Sequence, residues 1–315
     1  MAKVAVVGAG LIGRAWAISF ARAGHEVALT DAESGAVDLA LAFIDEALEE
    51  LARNDLLNDA EPEAVRARIG VAKSLAAALD GAIHVQENTP ENLDLKRDVF
   101  AELDGLAARD CVIASSSSAL LSSRFTEGLS GRARCLVAHP INPPYLVPAV
   151  EIMPAPWTDA AVVERIVRFM TEAGHAPFVI AREVEGFVVN RLQGALLQEA
   201  FRLVADGYVT AETVDIAIRE GLALRWSFMG PFETIDLNAP GGVRDYVARY
   251  GGLYDALFET QKRQVDWRGP VLDAIERDRR QRLPARDLAR RQAWRDRRLM
   301  ALAAHKRGAA KEIGD

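Results

Sequence analysis

Two hydrophobic rhythms alternate through the first 183 residues. Short apolar runs at 3–7, 25–30, 82–86, 111–114, 134–138, 147–152 and 177–180 are bounded by glycine, proline or small polar residues. Such runs suit strands buried on both faces of a parallel sheet. Between them, apolar positions recur at three- and four-residue spacing over 11–23, 91–106 and 159–173, and in two acidic helices across 35–68 with a break near 54–61. The alternation predicts an α/β fold, a Rossmann-type doubly wound, mostly parallel sheet, over residues 1–183. Composition shifts near Glu183, and from there the pattern is helix after helix. Helices are expected over 186–206, 210–219, 231–237 and from about 284, with a loop at 221–230 and a break at 240–242. Residues 184–315 therefore read as a second, all-helical domain.

The first strand runs into Gly8-Ala9-Gly10-Leu11-Ile12-Gly13, then a helix, a second strand and Asp31. A lone GxGxxG means little; inside a strand–loop–helix–strand–acid unit it is a dinucleotide fingerprint. Gly8 permits the tight turn, Gly10 lets a pyrophosphate approach the backbone, and Gly13 lets helix and strand pack closely. The helix N-terminus offers free N–H groups and partial positive charge to the phosphates. Asp31 stands where a carboxylate accepts ribose hydroxyls and repels a 2′-phosphate. NAD is thus expected in preference to NADP.

The run at 134–138 delivers His139 into Pro140-Ile141-Asn142-Pro143-Pro144, which cannot be helical. A histidine at the end of a strand can serve as a general acid/base, or can be a core imidazole bonded to backbone. Glu151 tips the balance: a carboxylate between Val150 and Ile152 needs a partner, and His139 is the natural one. Ser115 to Ser118 close the strand at 111–114 and either line the ligand edge of the sheet or cap the next helix. Asn190 is polar within the apolar face of a helix and also needs a partner.

Charge and composition narrow the partners. A net charge of −7 in 315 residues argues against nucleic acid. Two cysteines, Cys111 and Cys135, in apolar runs suggest buried thiols. Five scattered histidines show no metal-ligand spacing, so no metal is expected. No apolar run reaches membrane-spanning length, and the N-terminus lacks a signal-peptide pattern, so a cytoplasmic protein without membrane partners is expected.

These motifs together resemble the 3-hydroxyacyl-CoA dehydrogenase superfamily, within it the lambda-crystallin / L-gulonate 3-dehydrogenase group. The resemblance rests on the glycine fingerprint and on Pro-Glu-Asn-Leu-Asp-Leu-Lys at 90–96. It continues through Ala-His-Pro-Ile-Asn-Pro-Pro-Tyr at 138–145, Gly-Phe-Val-Val-Asn-Arg-Leu-Gln at 186–193 and Gly-Pro-Phe-Glu-Thr at 230–234. It implies that His139 is the acid/base, that Glu151 orients it, and that Asn190 contacts the reacting oxygen. Ser118 would lie between substrate and nicotinamide. Glu91 and Lys96 would contact the cofactor, and Asn142 would lie beside the nicotinamide. A homodimer through the helical domain is also implied.

For the substrate, the hairpin after the second strand is acidic, which opposes a coenzyme A ester. Arg225 could pair with a free carboxylate; a subunit salt bridge is the alternative. A small 3-hydroxy acid is expected, such as L-gulonate or a short 3-hydroxycarboxylate. Short 3-hydroxyacyl-CoA oxidation and carnitine 3-dehydrogenation are alternatives. A non-catalytic, crystallin-like NAD-binding dimer is the alternative from another class.

Overall fold

The computed structural model describes residues 2–314. The chain forms two compact units: residues up to 189 together with Arg295–His305, and the remainder. The first unit holds eight strands: β1 (Lys3–Val7), β2 (Glu26–Thr30), β3 (Ile69–Val71), β4 (Ala82–Glu87), β5 (Val112–Ser115), β6 (Cys135–Pro140), β7 (Ala149–Pro154) and β8 (Ala176–Val179). Their order in the single sheet is β3-β2-β1-β4-β5-β6-β7-β8. Every neighbouring pair is parallel except β6–β7. The order reverses between β1 and β4, which opens a crevice beyond the C-terminal ends of those strands.

Helices α1 (Leu11–Arg22), α2 (Ala36–Arg53), α3 (Pro62–Arg66), α4 (Leu75–Leu79), α5 (Leu93–Leu106), α6 (Ser123–Thr126) and α7 (Ala160–Glu172) belong to this unit. The central strands bury both faces, and alternate residues feed two cores. Val4, Val6, Leu136, Ala138 and Ile152 pack with Trp16, Phe20, Ile44 and Phe169. Ala5, Val7, Val85, Ile113, Val137 and Met153 pack with Phe100, Leu103 and Phe187. Period-two alternation in an all-apolar strand thus serves two layers of helix. Cys111 and Cys135 are buried free thiols, pushed up to about 11 and about 12 by burial.

The first core also encloses two histidines. His84 is 2% exposed and His175 6% exposed. His84 lies against Phe20 and Phe169, at ring-centroid distances of 5.8 and 4.8 Å, and His175 lies 4.9 Å from Trp16. His84 Nε2 meets Gln86 Oε1 at 3.0 Å. Its Nδ1 and both nitrogens of His175 make no hydrogen bond of ordinary geometry among the described residues. Burial brings both imidazoles down to about 4.

The second unit is helical: α8 (Val189–Ala205, from Asn190 onward), α9 (Ala211–Ile216), a π-helical turn (Ala217–Leu222), α10 (Ala223–Trp226), α11 (Pro231–Leu237), α12 (Gly242–Gln261), α13 (Pro270–Arg282) and α14 (Leu288–Ile313). Residues 295–305 of α14 count with the first unit. Met300, 1% exposed, joins its core, and Arg297 pairs with Glu50 at 2.6 Å. Among the described residues no helix is long and apolar enough to cross a membrane.

Several local expectations are corrected. The loop expected at 221–230 is helical through Trp226, because Leu222 to Trp226 are adequate helix formers and a wide π-turn absorbs Gly221. The helix expected from 186 starts at Val189, because Gly186 and Phe187 adopt φ of +74° and +51°. The helix expected from 91 starts at Leu93, where Asn92 caps it by accepting the Leu95 N–H at 3.0 Å. The last helix begins at Leu288, not near Pro284, after a short turn over Ala285–Asp287. Strand β3 and helix α4, too short to show a period, had no sequence assignment.

Candidate active site

The C-terminal ends of β1, β2, β4, β5 and β6 carry Gly8, Asp31, Asn88, Ser116 and His139 along one edge of the sheet. Gly8 has φ +91°, and a β-carbon there would meet Asn88 O at 2.9 Å. At Gly13 a β-carbon would lie 1.8 Å from Gly8 O, so α1 can approach β1 this closely only through glycine. Gly10 is different: nothing lies within 4 Å of its would-be β-carbon. That open backbone, with exposed Leu11 and half-buried Ile12 beginning α1, is what a pyrophosphate needs. Asp31 accepts the Ala9 N–H at 2.5 Å and the Glu33 N–H at 2.8 Å. It is thereby fixed at the rim, with lone pairs left for ribose hydroxyls. The donor set fits a dinucleotide.

His139 and Glu151 are directly paired across the antiparallel β6–β7 ladder. Residues opposite one another in such a ladder project to the same face. His139 Nδ1 meets Glu151 Oε2 at 2.7 Å. Glu151 Oε1 accepts the N–H groups of Val188 at 2.8 Å and Val189 at 3.0 Å. Burial favours the neutral acid, but the bond from His139 and the two amides outweigh it and hold the carboxyl below the usual carboxylate range. With Nδ1–H donated to the carboxylate, Nε2 keeps the imidazole's acceptor lone pair. Phe187, fully buried, sets its ring 5.4 Å from that of His139 at 69°.

Ser118 is exposed just past β5, and its N–H donates to Glu91 Oε2 at 3.2 Å. Lys96 is 1% exposed and gives its ammonium to Glu87 Oε1 and Oε2, both at 3.0 Å, and to Thr89 O at 3.2 Å. Its three donors are therefore engaged beneath the β4–α5 loop. Asn142 is exposed on the turn after β6. Asn190 and Arg225 belong to the second unit, on α8 and α10. Arg225 is exposed.

In the sequence Ser116 stands out only as one of four serines at the edge of the sheet, and Glu87 and Asn88 carry no assignment. Asn88 donates to Val7 O and Gln86 O, at 3.2 and 2.8 Å, and so backs the glycine loop. Ser116 Oγ accepts from Trp16 Nε1 at 3.0 Å and Gln86 Nε2 at 2.7 Å, and donates to Asn88 Oδ1 at 2.7 Å. Their signal was present: Glu87-Asn88-Thr89-Pro90 is a polar cluster at the ligand end of a buried strand.

Comparison with known proteins agrees with this geometry. Residues 3–184 match the 3-hydroxyacyl-CoA dehydrogenase NAD binding domain and residues 186–273 its C-terminal domain. A lambda-crystallin homolog from Bos taurus is 42% identical over 303 residues, covering 95% of this chain and 94% of its own. An L-carnitine dehydrogenase from Streptomyces coelicolor is 36% identical over 295 residues, covering 88% of this chain and 92% of its own. The solved structure of an NAD+-dependent 5-formyl-3-hydroxy-2-methylpyridine 4-carboxylic acid 5-dehydrogenase superimposes with a TM-score of 0.81 at 25% identity, covering 98% of both chains. A dinucleotide edge with a histidine–carboxylate pair, together with these matches, means that the chain belongs to the 3-hydroxyacyl-CoA dehydrogenase family, as an NAD-dependent oxidoreductase acting on hydroxyl groups.

Proposed function

We propose that this protein oxidises the 3-hydroxyl of a small free hydroxy acid to the 3-keto acid. The observation that carries this reading is the buried 2.7 Å His139–Glu151 pair on the sheet edge that bears the glycine fingerprint. NAD, when bound, supplies the hydride acceptor. Gly8 to Gly13 and Asp31 are assigned to hold it. Neutral His139 takes the hydroxyl proton at Nε2, and ionised Glu151 stabilises the imidazolium through Nδ1. Ser118 is assigned to the substrate oxygen, where a hydroxyl donor favours developing negative charge. Asn142 is assigned beside the nicotinamide. For Asn190 at the reacting oxygen and Arg225 at the substrate carboxylate, the support is the sequence pattern.

A free acid is favoured over a coenzyme A ester by α2. Among its acids, Asp45, Glu49 and Glu50 take arginine partners, while exposed Asp38 and Glu46 remain without an opposite charge among the described residues. That face would repel a multiply phosphorylated ligand. The relatives named for L-carnitine and for a pyridine carboxylic acid also act, by name, on carboxylate-bearing molecules.

The test is NADH formation with L-gulonate, 3-hydroxybutyrate, carnitine and 3-hydroxybutyryl-CoA in parallel. Turnover is expected with a free acid, and Arg225→Met is expected to raise KM for it at least about tenfold, as loss of a charged hydrogen bond does. An unchanged KM removes Arg225 from the site. Silence on all four compounds favours the structural, crystallin-like reading.

A homodimer through the helical unit is proposed as well. Helix α12 has no buried residue, yet carries Val247, Leu253, Leu257 and Phe258 at 41–58% exposure. An apolar helix face of this kind is expected to be covered. Light scattering should give twice the chain mass of 34.3 kDa; a monomer at micromolar concentration would count against it.

A further inference from the structure

One hydroxyl joins helix α1, which follows the glycine loop, to strand β4. Ser116 Oγ, one residue past β5, accepts from Trp16 Nε1 at 3.0 Å and from Gln86 Nε2 at 2.7 Å, and donates to Asn88 Oδ1 at 2.7 Å. Trp16 lies on α1, Gln86 on β4 and Asn88 just beyond β4. The groups around them leave no choice of roles. An indole N–H can only donate. Gln86 turns its NH2 group toward Ser116, because the same nitrogen meets Ala138 O at 3.1 Å and a carbonyl only accepts. Asn88 turns its NH2 group away, toward Val7 O at 3.2 Å and Gln86 O at 2.8 Å. With two donors pointing in, the Ser116 proton goes to Asn88. A serine hydroxyl has one proton and two lone pairs, and all three are used within the protein.

The glycine loop rests on Asn88. A β-carbon at Gly8 would meet Asn88 O at 2.9 Å, and one at Gly13 would lie 3.4 Å from Asn88 Nδ2. The Asn88 N–H also donates to Val7 O at 2.7 Å. Asn88 therefore backs both ends of the Gly8–Gly13 segment, and Ser116 fixes which way its amide faces. Trp16 ties α1 to the same hydroxyl. Its indole is fully buried and stacks on Phe20 with ring centroids 5.0 Å apart. Gln86 is fully buried too, and its Oε1 faces His84 Nε2 at 3.0 Å. Neither Trp16 nor Gln86 can reach a ligand at the sheet edge.

We infer that Ser116 is a positioning residue for the dinucleotide loop. Its hydroxyl is the junction at which Trp16, Gln86 and Asn88 set α1 and the Gly8–Gly13 backbone against β4. The inference rests on the assignment of that loop to NAD. It deepens that assignment by naming what holds the loop in shape.

Calorimetric titration of NADH into the whole chain tests it, with the melting temperature of each variant measured alongside. Ser116→Ala leaves Trp16 Nε1 and Asn88 Oδ1 without this partner. It should weaken NADH binding about three- to tenfold, the range that a lost hydrogen bond carries. Trp16→Phe keeps a ring against Phe20 and removes only the N–H donor. Position 16 is out of reach of any ligand, so its expected loss of about two- to fivefold arrives through Ser116. In the Ser116→Ala background the phenylalanine should cost nothing further, since contacting residues are not additive. Trp16→Phe carries the test by itself should Ser116→Ala fold poorly. Lowered melting temperatures with parental NADH affinity would make the junction a matter of stability alone and overturn the inference. A silent Trp16→Phe beside a weakened Ser116→Ala would put the hydroxyl on the dinucleotide itself, with the same consequence. Multiplicative losses in the double variant would also overturn it. All three outcomes leave the loop assigned to NAD. A parent chain that takes up no NADH would remove that assignment, and the inference with it.

Discussion

His139→Gln is expected to lower kcat by about 10²–10⁴-fold, the range that a positioned acid/base contributes. Glutamine fills similar space and can still hydrogen-bond Glu151, but it cannot take up a proton at neutral pH. Glu151, fully buried and held by two backbone amides, would keep its place and its charge. The glycine loop and Asp31 lie on other strands, so NADH affinity should be retained. Turnover on the best free acid and NADH fluorescence titration check the two halves of the expectation. Near-parental turnover would mean that another group moves the proton and that the 2.7 Å pair is structural.

The second large effect is on stability. His84 and His175 sit at about 4 in the folded chain, against about 6.5 when unfolded, with burial as the main cause in both. For His84, the Gln86 bond opposes the shift, and His25 and Arg165 reinforce it. For His175, Arg22 reinforces it and the Pro148 carbonyl opposes it. Both rings fold neutral, so between those two values the unfolded chain binds more protons than the folded one. Stability is then complete above about pH 6.5 and falls as the pH drops toward 4. A displacement of this size costs on the order of 3 kcal/mol for each histidine once the low end is reached. The depressed carboxyls of Glu91 and Glu151 contribute in a different window: their stabilisation is lost only as the pH falls below about 4.5 and through their folded values. Denaturant midpoints at pH 7.5, 6.0 and 5.0 isolate the histidine window. A flat midpoint across it would show that these imidazoles take up their protons in the folded state as readily as in the unfolded one.

Much of this was legible one residue at a time. Gly8, Gly10, Gly13 and Asp31 announce a dinucleotide edge because backbone conformation and close approach demand those residue types locally. The strand at 134–138 and the prolines after it give His139 a sheet edge, and Glu151 inside an apolar run demands a partner. Legibility ended where the deciding contact was non-local or the element short. β3 spans three residues and shows no period. Helicity at 217–226 depends on a π-turn that propensity does not describe. Glu87 stands out in the sequence only as part of a polar cluster after a buried strand, whereas its role lies in Lys96, Thr89 and Ser115 around it.

By itself, the sequence determined the α/β architecture followed by helices, the dinucleotide loop, and the identity of the acid/base candidate, because each is written in local spacing and residue type. Only the tertiary structure decided what His139, Glu91 and Lys96 touch. An antiparallel register sets Glu151 opposite His139, and two left-handed residues, Gly186 and Phe187, precede the Val188 and Val189 amides that hold its other oxygen. Hydrogen bonds act over about 3 Å, so partners distant along the chain are set by the folded backbone and not by the order of residues.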